Sequence, residues 1–113
     1  MLELVDLHLN HPDWSLALPV LQELRPHLTG ELLEQILTEA APQGLTFTAA
    51  MGDGTCLGIA GWRIAATTSA IRRLYVDDLV TTAAARSEGV GSRLLADLAW
   101  RAREAGCLVL DLD

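Results

Sequence analysis

The residues best suited to bind a ligand lie in one segment, residues 78–95, which reads DLVTTAAARSEGVGSRLL. Gly89 and Gly91 stand at the start of a predicted helix, and Arg86 precedes them. A glycine turn that leads into a helix presents backbone N–H groups to an anion, and the helix dipole favours negative charge there. Arg86 can add a charge-assisted hydrogen bond of roughly 1.5–3 kcal/mol. The segment therefore predicts a phosphate-binding turn.

Two common phosphate motifs do not fit this segment. A P-loop requires Gly-Lys-Ser/Thr, whereas Gly91 is followed by Ser92 and Arg93. A dinucleotide fingerprint requires a third glycine where Leu94 stands, and it should follow the first strand of a βαβ pair. By itself, the pattern R-x-x-G-x-G leaves open a crossover turn in which the glycines serve only tight packing.

Asp77 and Asp78 precede the glycine segment on a predicted strand and are candidate proton acceptors. Because adjacent strand residues point to opposite faces, we expect at most one of them to face a cleft. Each can instead pair with Arg72 or Arg73, and a bound water can replace either as the base.

Periodicity and turn residues predict the elements that position these groups. The predicted order is strand, two helices, three strands, loop, helix and strand, at residues 2–9, 15–26, 29–41, 45–50, 56–66, 71–81, 82–88, 92–105 and 107–113. The three middle strands should form an antiparallel meander. A strand–helix–strand crossover is right-handed, so the last two strands should run parallel. The predicted fold class is α+β (mixed α/β), with a mostly antiparallel mixed sheet, in a single domain of residues 1–113.

Composition limits the partners of this protein. Its eight cationic residues are all arginine, and fifteen acidic residues give a net charge of −7, which argues against a nucleic acid partner. Cys56 and Cys107 lie far apart and share no metal-ligand spacing with histidine, so neither a disulfide framework nor a metal site is expected. No apolar run approaches the ~20 residues of a membrane helix, and no signal segment is recognisable. We expect a cytoplasmic protein with no membrane partner.

The element order together with R-x-x-G-x-G resembles the GNAT (Gcn5-related) N-acetyltransferase family over nearly the whole chain. The strongest likeness is residues 74–80, LYVDDLV, followed by residues 86–91, RSEGVG. The resemblance implies a GNAT-like fold and acetyl-CoA as co-substrate. It implies that backbone amides wrap the CoA pyrophosphate at Arg86, Ser87, Glu88, Gly89, Val90, Gly91 and Ser92. It also implies that main-chain groups of Leu79, Val80 and Thr81 bind the pantetheine arm.

The same resemblance implies the chemistry. The N–H of Leu79 or Val80 would stabilise the oxyanion while an amine attacks the thioester directly. Asp77 or Asp78 would take the proton. Trp62 could line an acceptor pocket, and a negatively charged protein could steer cationic amines toward it.

This sequence departs from the family at its end. Family members usually continue with a helix, which carries a tyrosine that protonates the CoA thiolate, and two more strands. The predicted fold lacks them after Asp113, and Tyr75 does not match that tyrosine. The apolar last strand would then be an unpaired edge. A fragment or a naturally short gene would explain this, but we expect a homodimer that joins near the fifth strand.

Three functions remain open at this point. The leading expectation is an N-acetyltransferase that acts on a small-molecule or peptide amine. The alternative is a catalytically weak or inactive CoA-binding protein of the same fold, which the missing tyrosine favours. The third is a purely structural α/β interaction module.

Overall fold

A computed structural model describes residues 1–112, apart from the side chain of Ser87. The strands are β1 (Glu3–Asp6), β2 (Thr46–Gly52), β3 (Thr55–Thr67), β4 (Ile71–Thr81) and β5 (Val109–Leu112). The α-helices are α1 (Trp14–Leu24), α2 (Gly30–Ala40) and α3 (Val90–Glu104), and short 3-10 helices span Ala41–Gln43 and Ala83–Glu88. The predicted order of strands and α-helices is confirmed.

Some boundaries differ from the prediction. β1 is half as long as expected, because the chain turns at residues 9 and 10 after leaving the sheet. The predicted loop over residues 82–88 contains a 3-10 helix. β5 begins two residues later than expected, and Asp113, which the prediction placed in this strand, lies outside the described residues.

The five strands form one sheet in the order β1-β2-β3-β4-β5. Neighbours from β1 to β4 are antiparallel, and β5 runs parallel to β4, which confirms the predicted mixed sheet. The parallel register places Tyr75 opposite Asp111 and Val76 opposite Leu112. β5 therefore pairs only with the first half of β4.

The sheet carries a hydrophobic core on each face. Ala49 and Ile59 belong to the cluster under α1 and α2, whereas their neighbours Ala50 and Ala60 belong to the cluster under α3. Because adjacent strand residues point to opposite faces, the two helical layers cover opposite sides of the sheet. The largest fully buried apolar side chains are Leu21, Ile59, Leu74, Leu94 and Leu98.

A network of hydrogen bonds connects α3 to β1, β2 and β3. Arg101 donates hydrogen bonds of 2.9 Å to both carboxylate oxygens of Asp6 and one of 2.8 Å to Asp97. Thr48 donates to Asp6 at 2.8 Å and accepts from the indole N–H of Trp62 at 3.0 Å. Burial raises the pKa of the Asp6 carboxyl, but the hydrogen bonds from Arg101 and Thr48 and the charge of Arg101 outweigh it, so this pKa is lowered.

Candidate active site

A β-bulge in β4 shapes the candidate site. Gly61 of β3 pairs with Asp78 and Trp62 pairs with Val76. Asp77 lies between these pairs, and no residue of β3 stands opposite it in the strand register. An extra residue of this kind interrupts the side-chain alternation of a strand. Bulges are common next to active sites, where they redirect a side chain.

Strict alternation along β4 would place Asp78 on the same face of the sheet as Leu74 and Val76. The bulge places it on the opposite face. Leu74 and Val76 pack into the core under α3, and so does Leu79, three residues after Val76. Val80 packs into the other core, under α1 and α2. Asp78 lies two residues before Val80 and therefore shares its face. The prediction that at most one of the two carboxylates faces a cleft was wrong.

Each carboxylate is held by an arginine. Arg25 donates from Nε (2.9 Å) and Nη2 (2.5 Å) to Oδ1 of Asp78, and from Nη2 to the main-chain oxygen of Asp77 at 3.4 Å. Arg63 donates from Nε to Oδ2 of Asp77 at 3.0 Å and from Nη1 to Gln43 at 3.2 Å. The side chain of Asp78 is only 15% exposed whereas that of Arg25 is 42% exposed, so the carboxylate is shielded from water but its arginine partner is not.

The predicted pairing of these carboxylates with Arg72 or Arg73 was wrong. Four residues along a strand span about 13 Å, which is too far for an ion pair. Nε of Arg73 instead lies 3.0 Å from Oδ2 of Asp111, as an ion pair without hydrogen-bond geometry. Arg72 donates to the main-chain oxygen of Ala105 at 3.2 Å.

Two cavities meet at the bulge. The first, which we name the α1–α2 cavity, measures about 250 Å³ and is lined by Leu21, Arg25, His27, Leu28, Leu33, Ile36, Leu45, Phe47, Arg63, Asp77 and Asp78. The second, which we name the β4–β5 crevice, measures about 280 Å³ and is lined by Leu24, Arg25, Val76, Asp77, Leu79 and Leu112. Arg25 and Asp77 line both. The two cavities are therefore adjacent, and these two residues form their shared wall.

The edge of β4 beyond the bulge borders the crevice. Leu79, Val80 and Thr81 pair with β3, whereas the pairing of β4 with β5 covers only residues 73–76. Within residues 1–112, β5 therefore leaves uncovered the edge of residues 79–81 that faces away from β3. Main-chain groups along such an edge can bind an extended ligand as though it were another strand.

The glycine segment forms a turn between a 3-10 helix and α3. Gly89 has φ +76° and directly precedes the first residue of α3, and a Cβ atom at Gly89 would meet no protein atom within 4 Å. Among the described side chains, none caps the N-terminus of α3. Val90 is only 3% exposed because it packs into the core, so this residue offers a ligand its main chain alone. The turn can therefore present the first N–H groups of α3 to an anion.

Gly58 brings this turn close to the sheet. A Cβ atom at Gly58 would lie 2.9 Å from Cγ1 of Val90 and 3.1 Å from the main-chain oxygen of Val80. Only glycine therefore lets the start of α3 approach the end of β4. The sequence analysis did not single out Gly58, because its role depends on contacts with distant residues.

A model of the acetyltransferase (GNAT) family matches residues 8–113. The chain belongs to this family.

Solved GNAT structures share the fold over the whole chain. An acetyltransferase of Trypanosoma brucei is 27% identical and superposes with a TM-score of 0.83, with all of this chain and 82% of that chain covered. A ribosomal-protein-alanine N-acetyltransferase from Brucella melitensis biovar Abortus 2308 is 21% identical, with a TM-score of 0.82 over all of this chain and 79% of the other. The aminoglycoside N-acetyltransferase AAC(6')-Iy in complex with CoA is 16% identical, with a TM-score of 0.85 over all of this chain and 76% of the other. No curated protein matches the chain at a significant level.

The structure places the predicted GNAT site residues on β4 and along the connection from β4 to α3. Leu79 lines the crevice, Val80 and Thr81 follow it on β4, and residues 86–92 form the turn before and into α3. Arg86, Glu88 and Ser92 are exposed, and the predicted role of the Ser87 side chain lies outside the described part of the chain. Asp77 and Asp78 line the α1–α2 cavity beside these elements.

Trp62 lies elsewhere. Its ring packs into the core under α3, and the Arg101 guanidinium lies 5.1 Å from the ring centroid. The suggestion that Trp62 lines an acceptor pocket was wrong, because the residue points away from both carboxylates. Arg63, its neighbour on β3, points toward them instead.

Sequence reasoning missed the two arginines at the centre of the site. Arg25 lies 53 residues before Asp78, and no local pattern links the two. Arg63 lies 14 residues from Asp77 on the adjacent strand, so a correct register between β3 and β4 would have found it.

The described residues contain no group of three His, Cys, Asp or Glu side chains placed to hold a metal ion. None of the helices in this part of the chain has the length and apolar character needed to cross a bilayer.

Proposed function

We propose that this chain transfers the acetyl group of acetyl-CoA to a primary amine by direct attack. The observation that carries the proposal is the meeting of the β4–β5 crevice and the α1–α2 cavity at Arg25 and Asp77. A thioester in the crevice and an amine in the cavity would react at this junction, within reach of two carboxylates.

The glycine turn before α3 is suited to hold the diphosphate of CoA. The open space at Gly89 leaves room for phosphate oxygens, and the N-terminus of α3, which directly follows, has N–H groups that no side chain caps among the described residues. Arg86 is exposed beside the turn and can add a charge-assisted hydrogen bond. From there the pantetheine arm would run along the uncovered edge of residues 79–81 into the crevice.

The chemistry needs a proton acceptor and an oxyanion donor. The N–H of Leu79 or Val80 would donate to the thioester oxygen as charge develops on it. The amine, protonated at neutral pH, would pass its proton to Asp78 or Asp77, directly or through a water, before its nitrogen attacks the carbonyl carbon. The C–N bond forms, the C–S bond breaks, the nitrogen releases its second proton to water to give the neutral amide, and the departing CoA thiolate takes a proton from water. A thiol pKa of about 8.5 makes this a tolerable leaving group.

A CoA-binding protein with little turnover is the second candidate. Its support is that both carboxylates are already engaged by arginines, Asp78 by Arg25 and Asp77 by Arg63. Each arginine hydrogen bond occupies a carboxylate oxygen that would otherwise be available to accept a proton from an amine.

Calorimetry with acetyl-CoA, followed by a mass-spectrometric assay of amine-dependent CoA release, separates the candidates. We expect binding, and release that falls about 10²–10⁴-fold in Asp78→Asn with unchanged acetyl-CoA affinity, since Asp78 does not line the crevice. Asp97→Asn is the matched control, since it removes an arginine-paired carboxylate on the other face of the sheet. Binding without amine-dependent release would support the second candidate, and absence of binding would exclude both.

A further inference from the structure

The walls of the α1–α2 cavity are mainly apolar. Its lining includes six large apolar side chains contributed by α1, α2, β2 and the connections beside them: Leu21, Leu28, Leu33, Ile36, Leu45 and Phe47. Four of them, Leu21, Leu28, Leu33 and Phe47, belong to the buried core, so the floor of the cavity is the core itself. A molecule that fills this space exchanges water for hydrocarbon over most of its surface.

The charges of the cavity balance. Arg25 pairs with Asp78 and Arg63 with Asp77, so the paired residues add no net negative charge. The acidic residues of α2, namely Glu31, Glu34 and Glu39, line a separate depression together with Gln35 and Thr38. The excess negative charge of the protein is therefore not concentrated where an amine would react.

These two properties favour one class of amine. A single ammonium group can be received by the carboxylates at the junction, but a second one at the other end of the molecule would lie against apolar side chains and lose part of its water without a counter-charge. An apolar body gains instead, by roughly fourfold in affinity for each buried methylene. At about 30 Å³ for each water-sized group, the cavity volume of about 250 Å³ accommodates roughly eight heavy atoms.

We propose that the acceptor is a primary monoamine with an apolar body and about seven to nine heavy atoms in all, and that Ile36 helps to select it against polycations. This inference rests on the proposed acetyl transfer, and it replaces the expectation that the net charge of the protein selects cationic amines. Ile36 lines the cavity and is 38% exposed, so it stands at the mouth where a second ammonium would lie.

Hexylamine and 1,6-diaminohexane test the proposal, because they differ only by a terminal ammonium. We expect kcat/KM for hexylamine to exceed that for the diamine by at least about tenfold, and to rise roughly fourfold per methylene from butylamine to hexylamine. Ile36→Glu should shrink the hexylamine-to-diamine ratio at least threefold. Leu32→Glu is the matched control: it adds the same charge on α2 at a site that is 39% exposed and outside the cavity lining, so the ratio should stay unchanged.

The outcomes separate this inference from the proposed function. Turnover of both amines with the diamine equal or better would overturn the inference and leave acetyl transfer standing. Equal changes in Ile36→Glu and Leu32→Glu would remove the assigned role of Ile36. Acetyl-CoA binding without turnover of any amine would overturn the proposed function, and the inference with it.

Discussion

Gly89 offers the sharpest test of the CoA site, because the same helix carries a matched glycine at its other end. Gly89 precedes α3 and Gly106 follows it, and both have φ +76°. Alanine in this left-handed region costs roughly 1–2 kcal/mol. In a domain of 113 residues that corresponds to a loss of about 4–8 °C in Tm. We therefore expect Gly89→Ala and Gly106→Ala to lose similar stability.

The two positions differ in what an added Cβ would meet. At Gly89 no protein atom lies within 4 Å, and we propose that the CoA diphosphate occupies that space. At Gly106 the nearest atom is Nη1 of Arg72 at 3.1 Å, the mobile end of a long side chain. The 15-residue α3 separates the two sites by about 22 Å. Only Gly89→Ala should therefore affect a ligand at the turn.

The size of the binding effect follows from the hydrogen bonds at risk. Displacing the diphosphate from one charge-assisted N–H contact costs roughly 1.5–3 kcal/mol, which raises the Kd for acetyl-CoA about 10- to 150-fold. Gly106→Ala should leave the Kd within about twofold of the wild-type value. Gly89→Asn separates strain from obstruction, because asparagine tolerates positive φ: it should recover stability but not affinity.

Thermal denaturation by circular dichroism and titration calorimetry with acetyl-CoA measure the two effects. If both alanine variants lose the same stability and bind acetyl-CoA equally well, Gly89 serves only the turn, and the diphosphate is not held there. If Gly106→Ala also loses affinity, the loss reflects general destabilisation, and the argument from local contact fails.

Three further predictions concern other parts of the molecule. The pKa of Asp6 is lowered in the folded state, so its ion pair with Arg101 stabilises the protein above the unfolded pKa of about 3.9 and is lost as pH falls through the lower folded value. Asp6→Asn should therefore reduce the free energy of unfolding by about 1 kcal/mol or less at pH 6, and the difference from wild type should shrink below about pH 4 in urea titrations; a constant difference would contradict this. Burial raises the pKa of the Cys56 thiol to about 11, so alkylation of the native protein at pH 8 should modify the partly exposed Cys107 and reach Cys56 only after unfolding, with Cys107→Ser as the control. Fast native labelling of Cys56 would refute the assignment. The homodimer expected near the fifth strand stays a prediction, and sedimentation at low micromolar concentration checks it, since a monomer there would count against it.

The sequence by itself determined the order of the elements and the place of the glycine turn before α3. Threonine is a residue type that favours the N-cap position of a helix, and Thr29 caps α2 by accepting a hydrogen bond from the Leu32 N–H at 3.1 Å. The glycines at residues 52 and 54 are typical of a hairpin turn, and in the β2–β3 hairpin Asp53 and Gly54 both have positive φ. The parallel pairing of β4 and β5 followed from the right-handed crossover rule. These features depend on local residue types, on periodicity or on chirality, and a single sequence carries all three.

Only the tertiary structure decided how the candidate site is assembled. The alternation of residues 71–81 contains no sign of the bulge at Asp77, because the extra residue exists only relative to the partner strand. That one-residue shift turns Asp78 onto the face of Asp77. Strand periodicity likewise gives two opposite faces without telling which helix will cover each one, so the placement of Trp62 under α3 could not be predicted. The same holds for Arg25, because long side chains choose partners by proximity in space, which register and helix packing create only when the whole chain has folded.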